Sequence, residues 1–292
     1  MINQFRRVFS LGALVSFSAL FLSGCEKAAL LNPKGLIAAD ELKLLITAVL
    51  LMLIIVLPVL ILVGVIAYRY RASNKKAKYD PHFHSLKLEV FWWFFPIVII
   101  AFLAVVTWKS THYLDPYRSL DSNKKPLTVQ VVSLNWRWLF IYPEQKIATI
   151  NYLKLPVDTP INFKLTSDAP MNSFVIRQLG GQIYTMAGMQ TKLSLIANES
   201  ANYQGMALGF SGDGYDKMFF TASVVDAAAF DAWVNSVKKS SNSLNFNTYS
   251  RLVPDSQDTS VMYFNLADDR LFYQIMDKYM SPDMSASMSD QR

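Results

Sequence analysis

Sulfur and imidazole are nearly missing from this sequence. It has one cysteine, Cys25, and three histidines, His82, His84 and His112, in 292 residues. Past His112 no side chain can supply a thiolate or an imidazole. Metal or redox chemistry that depends on those ligands is excluded there, a mononuclear blue-copper centre included. Basic charge is missing from most of the chain too. Residues 1–109 carry 12 Lys and Arg against 5 Asp and Glu, whereas residues 110–292 carry 16 against 17. The formal net charge of +6 therefore belongs to the N-terminal third. The rest offers no basic patch of the kind nucleic acid needs. Charge is absent altogether between Leu44 and Ala67, an uninterrupted apolar run longer than the roughly 20 residues that cross a bilayer.

What is present begins with Arg6 and Arg7 before an apolar stretch from Val8 to about Leu22. A positive start, a short apolar run and small residues make a secretory signal, residues 1–24. The stretch is too short for a good membrane span. Leu22-Ser23-Gly24-Cys25 resembles a bacterial lipobox, which implies that Cys25 is acylated and becomes the mature N-terminus. The competing reading is an ordinary signal peptide with an incidental cysteine.

A second span runs from about Val90 to Trp108. The first holds Pro58 and the second Pro96, which spans tolerate when neighbours re-satisfy the backbone. The connecting loop carries Arg69, Arg71, Lys75, Lys76, Lys78 and Lys87 against Asp80. The positive-inside rule places that loop in the cytoplasm, and both the mature N-terminus and the chain after about Lys109 outside. His82 and His84 in this loop have a spacing that could bind metal, but read better as solvated loop residues. His112 reads as interfacial.

From Leu127 onward short alternating runs replace the spans. Leu127–Leu134, Ile161–Leu165, Thr191–Ile196 and Met218–Val225 read as strands, separated by proline, glycine and asparagine turn signals. The pattern predicts a two-sheet β-sandwich over residues 111–225. Past Asp226, a candidate N-cap, it predicts a helix over Ala227–Lys239 and another over Asp268–Met280. The fold class is therefore a membrane-anchored α+β protein: a transmembrane helical hairpin within residues 25–110, a β-sandwich, and a helical, aromatic-rich segment over 226–292 whose last dozen residues are expected to be disordered.

Two stretches carry a resemblance: Asp168-Ala-Pro-Met-Asn172-Ser-Phe174, and Gly205-Met-Ala207-Leu-Gly209-Phe-Ser211-Gly-Asp-Gly-Tyr215-Asp-Lys-Met218. With the two spans and the sandwich, they resemble subunit II of haem–copper terminal oxidases. In the cytochrome c oxidases of that family the sandwich is a cupredoxin domain holding a binuclear copper centre. Laid on this sequence, its first histidine becomes Asn172. Its cysteines become Ala207 and Ser211, its carbonyl-donating glutamate Gly209, and its second histidine Tyr215. Only Met218 keeps its ligand type. Gly180–Thr191, Leu195–Glu199 and the aromatic-rich C-terminal region are similar to the bo-type ubiquinol oxidase branch, which lacks this copper.

The resemblance implies a cupredoxin-like fold, no redox cofactor in this chain, and haems plus one copper in partner subunit I. It implies oxidation of ubiquinol at subunit I, reduction of O₂ to water, proton pumping, other oxidase subunits and membrane lipid as partners, and no cytochrome c. The implied place is the bacterial inner membrane, with the large domain periplasmic. From the residues alone, Glu89 reads as a carboxylate favoured at a helix N-terminus. The resemblance implies instead that it stands at the mouth of a proton path. Trp136 and Trp138 match an aromatic patch that receives electrons in copper-bearing relatives; here a structural role is expected. A stand-alone lipoprotein with a degenerate cupredoxin binding domain is the alternative. A menaquinol-oxidising relative shares the lost ligands and stays open.

Overall fold

The computed structural model describes residues 29–75, 84–120 and 122–280, which form two compact units, one of residues 40–115 and one of the flanking segments. The signal segment, Cys25, His82 and the polar tail lie outside the described residues.

The first unit is helical. Helix α1 (Leu36–Arg69) and helix α2 (Leu86–Tyr113) are long and apolar enough to cross a membrane. At 1.5 Å per residue they extend about 51 Å and about 42 Å, against a hydrocarbon core of about 30 Å. Large apolar side chains stand exposed along both, among them Ile61, Val63, Ile100 and Val105. An apolar surface on every side of a helix requires lipid or protein around it.

The second unit is a β-sandwich. Its larger sheet has the order β11-β12-β3-β2-β1-β5-β8, built from Ser243–Leu244, Met262–Leu266, Ile147–Ile150, Trp138–Tyr142, Leu127–Ser133, Ile161–Ser167 and Thr191–Leu195. The smaller has the order β4-β10-β9-β6-β7, from Tyr152–Pro156, Phe219–Val225, Asn202–Ala207, Asn172–Ile176 and Gly180–Thr185. Between the sheets lie Trp138, Phe140, Phe163, Phe174 and Phe220, with Phe174 stacked on Phe220 at 5.2 Å. Gly205 lies directly beneath the Phe220 ring, where any Cβ would overlap it.

The larger sheet is covered on its other face as well. Val132, Leu139, Ile141, Ala148 and Ile150 pack against Tyr249, Phe264, Leu271, Phe272, Ile275 and Met276 of the C-terminal segment. That segment comprises α3 (Ala227–Lys238), α4 (Phe246–Ser250) and α5 (Leu271–Asp277), and also supplies β11 and β12. Asp226 does cap α3, accepting from the Ala229 amide at 2.7 Å. Phe230, Val234 and Val237 recur at helical spacing and are the residues α3 buries.

The lead into α1 docks on this same unit. Backbone bonds join Lys34 to Gln178 and Asn198, Leu36 to Ile196, and Ala38 to Leu179. The approach is close enough to require glycine. A Cβ on Gly180, whose φ is +98°, would stand 2.6 Å from the Ala38 nitrogen. Lys34 also pairs with Glu199 at 2.6 Å.

Candidate functional site

β6 opens with Asn172, and β9 ends with Ala207 against it, with Phe174 opposite Ala207. The chain then loops from Leu208 to Met218 before entering β10. The Leu208 amide bonds to the Ser173 carbonyl, and the Ala207 amide to the Met218 carbonyl. These two bonds draw both ends of the loop toward Asn172.

Of the positions singled out in the sequence, Asn172, Gly209, Ser211 and Met218 lie against one another. Asn172 is 2% exposed. Its Nδ2 donates to Ser211 Oγ and to Met218 Sδ, both at 3.2 Å, and its Oδ1 accepts from the Ser173 amide at 2.8 Å. Gly209 lies against it, where a Cβ would be 3.4 Å from the Asn172 Cα. Tyr215 turns its hydroxyl to the Leu208 carbonyl at 3.2 Å and its ring toward Phe210, which is 80% exposed.

This donor set does not fit a thiolate-bridged copper centre. The groups present are an amide, a hydroxyl and a thioether, all neutral. The amide nitrogen carries no free lone pair, and it points its N–H at the methionine sulfur. Copper of that class needs thiolate and imidazole, and the loop is closed instead by its own hydrogen bonds. Among the described residues no group of three or more His, Cys, Asp and Glu gathers as metal ligands would.

The two tryptophans do not form a common patch. Trp136, at a left-handed φ of 63°, lies over the loop, and its Nε1 donates to the Ser211 carbonyl at 3.1 Å. A Cβ on Gly214 would come within 2.4 Å of its indole. Trp138 points the other way and is wholly buried, edge-on to Phe174 and Phe220. Trp136 sits in the left-handed turn ahead of β2 and not in the strand, so the alternation that would put residues two apart on one face does not hold for this pair.

A second cluster was not foreseen from the sequence. Asp168, four residues before Asn172, has a fully buried side chain. It accepts from Lys278 Nζ at 2.6 and 2.8 Å, from the Tyr249 hydroxyl at 2.5 Å and from the Tyr279 hydroxyl at 2.5 Å. Burial first, and then the Asp168 hydrogen bond and charge, push the Tyr249 hydroxyl far above its usual range and the Tyr279 hydroxyl up to about 12. The signal for this cluster was Asp168 itself, an acid inside a diagnostic stretch with no copper to serve.

On the helical unit Glu89 lies in the first turn of α2, exposed, with its amide bonded to the Ser85 carbonyl at 3.0 Å. His112 sits in the last turn of α2. Its Nδ1 is 2.8 Å from the Trp108 carbonyl, and its ring lies 4.6 Å from that of Trp108.

Comparison with known proteins supplies the family. The COX Aromatic Rich Motif matches residues 238–283. Cytochrome bo(3) ubiquinol oxidase subunit 2 of Pseudomonas aeruginosa is 51% identical over 262 residues, covering 89% of this chain and 79% of that protein. The chain belongs to the ubiquinol oxidase subunit 2 family. Ubiquinol oxidase subunit 2 of Acetobacter aceti is 47% identical, over 94% of this chain and 89% of its own length. Among solved structures, the periplasmic domain of subunit II of cytochrome oxidase from Bradyrhizobium japonicum is 19% identical, with a TM-score of 0.39, covering 42% of this chain and 98% of that one. The chain is thus a membrane-anchored subunit of a quinol oxidase complex, and the oxidoreductase is the complex.

Proposed function

We propose that this chain is the non-redox subunit II of a proton-pumping haem–copper oxidase that oxidises ubiquinol and reduces O₂ to water. The observation that carries this reading is the convergence of Asn172, Ser211 and Met218 on one another in place of copper ligands. An electron donor held in the membrane needs no external copper relay. The haems and the oxygen-reducing copper then belong to subunit I, where ubiquinol also delivers its electrons. This chain assembles with subunit I and the other oxidase subunits, and its sandwich caps subunit I on the periplasmic face.

The same reading acylates Cys25 and places the basic loop in the cytoplasm of a bacterial inner-membrane protein. Each buried methylene of an acyl chain contributes roughly 0.8 kcal/mol to anchoring. Glu89 then faces the cytoplasmic boundary, where an exposed carboxylate can collect protons and pass them inward. Glu89→Ala is expected to slow turnover while leaving the haem content of the purified complex unchanged; turnover near that of the parent would remove Glu89 from the proton path.

The test of the whole reading is oxygen uptake by the complex captured on a tag at this chain's C-terminus, fed in parallel with ubiquinol and with reduced cytochrome c. Uptake with ubiquinol alone is expected. Uptake with cytochrome c would require an electron acceptor site these residues do not supply. Capture without haem would favour a stand-alone lipoprotein.

A further inference from the structure

Helices α1 and α2 enclose a groove of about 340 Å³ between them, with Pro58 and Pro96 at its walls and Ile55, Leu62, Trp92 and Phe95 among its lining. The lining is almost wholly apolar. Its residues span Ile54 to Leu62 on α1, about 12 Å along the axis. The length of the groove and its apolar lining suit a flexible hydrocarbon chain.

Charge gathers at one end of it. On α1 the lining positions Ile55 and Leu62 are followed by Arg69, one heptad further on and on the same face. On α2, Lys87 precedes the lining residue Phe91 by one turn, on the same face of the helix, and is exposed. Arg71 and Lys75 follow in the same connection. Among the described residues, the acid at this end is Glu89, against these four bases. The end is also the start of α2, where Ser85 makes no side-chain cap and the first amides point outward.

We propose that the groove seats an acyl chain of an anionic phospholipid, with the headgroup phosphate held between Arg69 and Lys87. The lipid belongs to the leaflet on the side of the basic loop. Long basic side chains at helix ends reach to the headgroup level while their stems cover apolar surface. Anionic lipid attracts each such residue strongly enough that two together change affinity by roughly 30-fold. The proposal rests on membrane insertion of the hairpin and not on quinol as the electron donor, so the oxygen-uptake test and the one below fail separately.

The test uses the purified complex, exchanged into lipid-free detergent and titrated with phosphatidylglycerol carrying brominated acyl chains. Bromine quenches tryptophan on contact, so the quenching that disappears in Trp92→Phe reports the groove. That quenching is expected to saturate, and to need roughly 30-fold more lipid in the double variant Arg69→Gln, Lys87→Gln. The brominated phosphatidylcholine analogue is expected to quench no better in the parent than the anionic lipid does in the double variant. Haem content, measured on each variant, confirms that the complex is intact. Equal titration by the two lipids, or an unchanged midpoint in the double variant, would overturn the headgroup site. Absence of any Trp92-dependent quenching would overturn the groove as a lipid seat and assign it to side chains of a partner helix.

Discussion

The two sides of β6 behave differently. On one side Asn172 meets the loop from Leu208 to Met218 through bonds between neutral groups, and the loop exposes Phe210 to 80%. On the other, Asp168 gathers a lysine and two tyrosine hydroxyls around a carboxylate with no exposed surface. Neutral side chains of this kind face only packing demands, so amides, hydroxyls and glycine serve. A buried charge cannot drift in that way. Removing any partner leaves the others unsatisfied in a low-dielectric site. The part of this domain that must stay fixed is therefore the junction between sandwich and C-terminal segment, since Tyr249, Lys278 and Tyr279 all come from that segment.

The largest effect should come from Asp168→Ala. It strands Lys278 and two hydroxyls, and loss of one partner of a buried pair costs about 3–5 kcal/mol. Lys278 is 34% exposed and can turn to water, which places the cost toward about 3 kcal/mol. The denaturation midpoint of the purified protein measures it. A shift no larger than that of a surface substitution would erase the contrast between the two sides of β6.

Gly214→Ala comes next. Its new methyl would press into the Trp136 indole at 2.4 Å, and the flanking loop must move or the ring must leave. Overpacking of this kind costs about 1–3 kcal/mol. Trp136 emission should shift toward that of a solvated indole, which a mere loss of loop contacts elsewhere would not produce.

The anchor also predicts behaviour in alkali. In the folded protein Tyr279 holds its proton up to about 12, and Tyr249 beyond that, through burial and the Asp168 carboxylate. In the unfolded chain both ionise near 10. The folded state therefore binds more protons above pH 10, and stability falls as pH rises from about 10 toward 12. Below pH 10 the tyrosines contribute no slope. Tyr279→Phe should make the fall between pH 10 and 12 shallower, measured as the denaturation midpoint against pH; an unchanged slope would show that Tyr279 is not held by Asp168 in solution.

How far the sequence revealed this arrangement depended on what each strand faces. Ile161–Ser167 alternates because one of its faces is partly open, and it was legible. Trp138–Tyr142 and Ile147–Ile150 are buried at every position because the C-terminal segment covers the outer face of their sheet. A uniformly apolar run carries no period-two signal. Met262–Leu266 was hidden for a related reason. It lies in a stretch read as helical and becomes a strand by pairing with β11 and with β3, the latter more than a hundred residues away. At the loop, the resemblance singled out six positions, of which Asn172, Gly209, Ser211 and Met218 lie against one another while Tyr215 turns to Leu208 and Phe210; the bonds that close the loop were not legible. Asn172 donating to a methionine sulfur and Trp136 lying on two glycines follow from three-dimensional placement that spacing does not encode.

Met218→Leu should have the smallest effect, and for that reason it tests the comparison most sharply. Met218 is 1% exposed and keeps the residue type of a copper ligand. Were it retained for its sulfur, leucine would remove the function. Its observed role is to fill space ahead of β10 and to accept one N–H from Asn172. Leucine matches its volume, and such exchanges usually cost less than about 1.5 kcal/mol. A thioether is a weak acceptor, and Asn172 keeps Ser211 as a partner for its amide. Oxygen uptake with ubiquinol should therefore match the parent complex, with a denaturation midpoint only slightly lowered. A large loss of uptake with an intact fold would mean that the loop retains a demand beyond packing, and the two sides of β6 would then be alike.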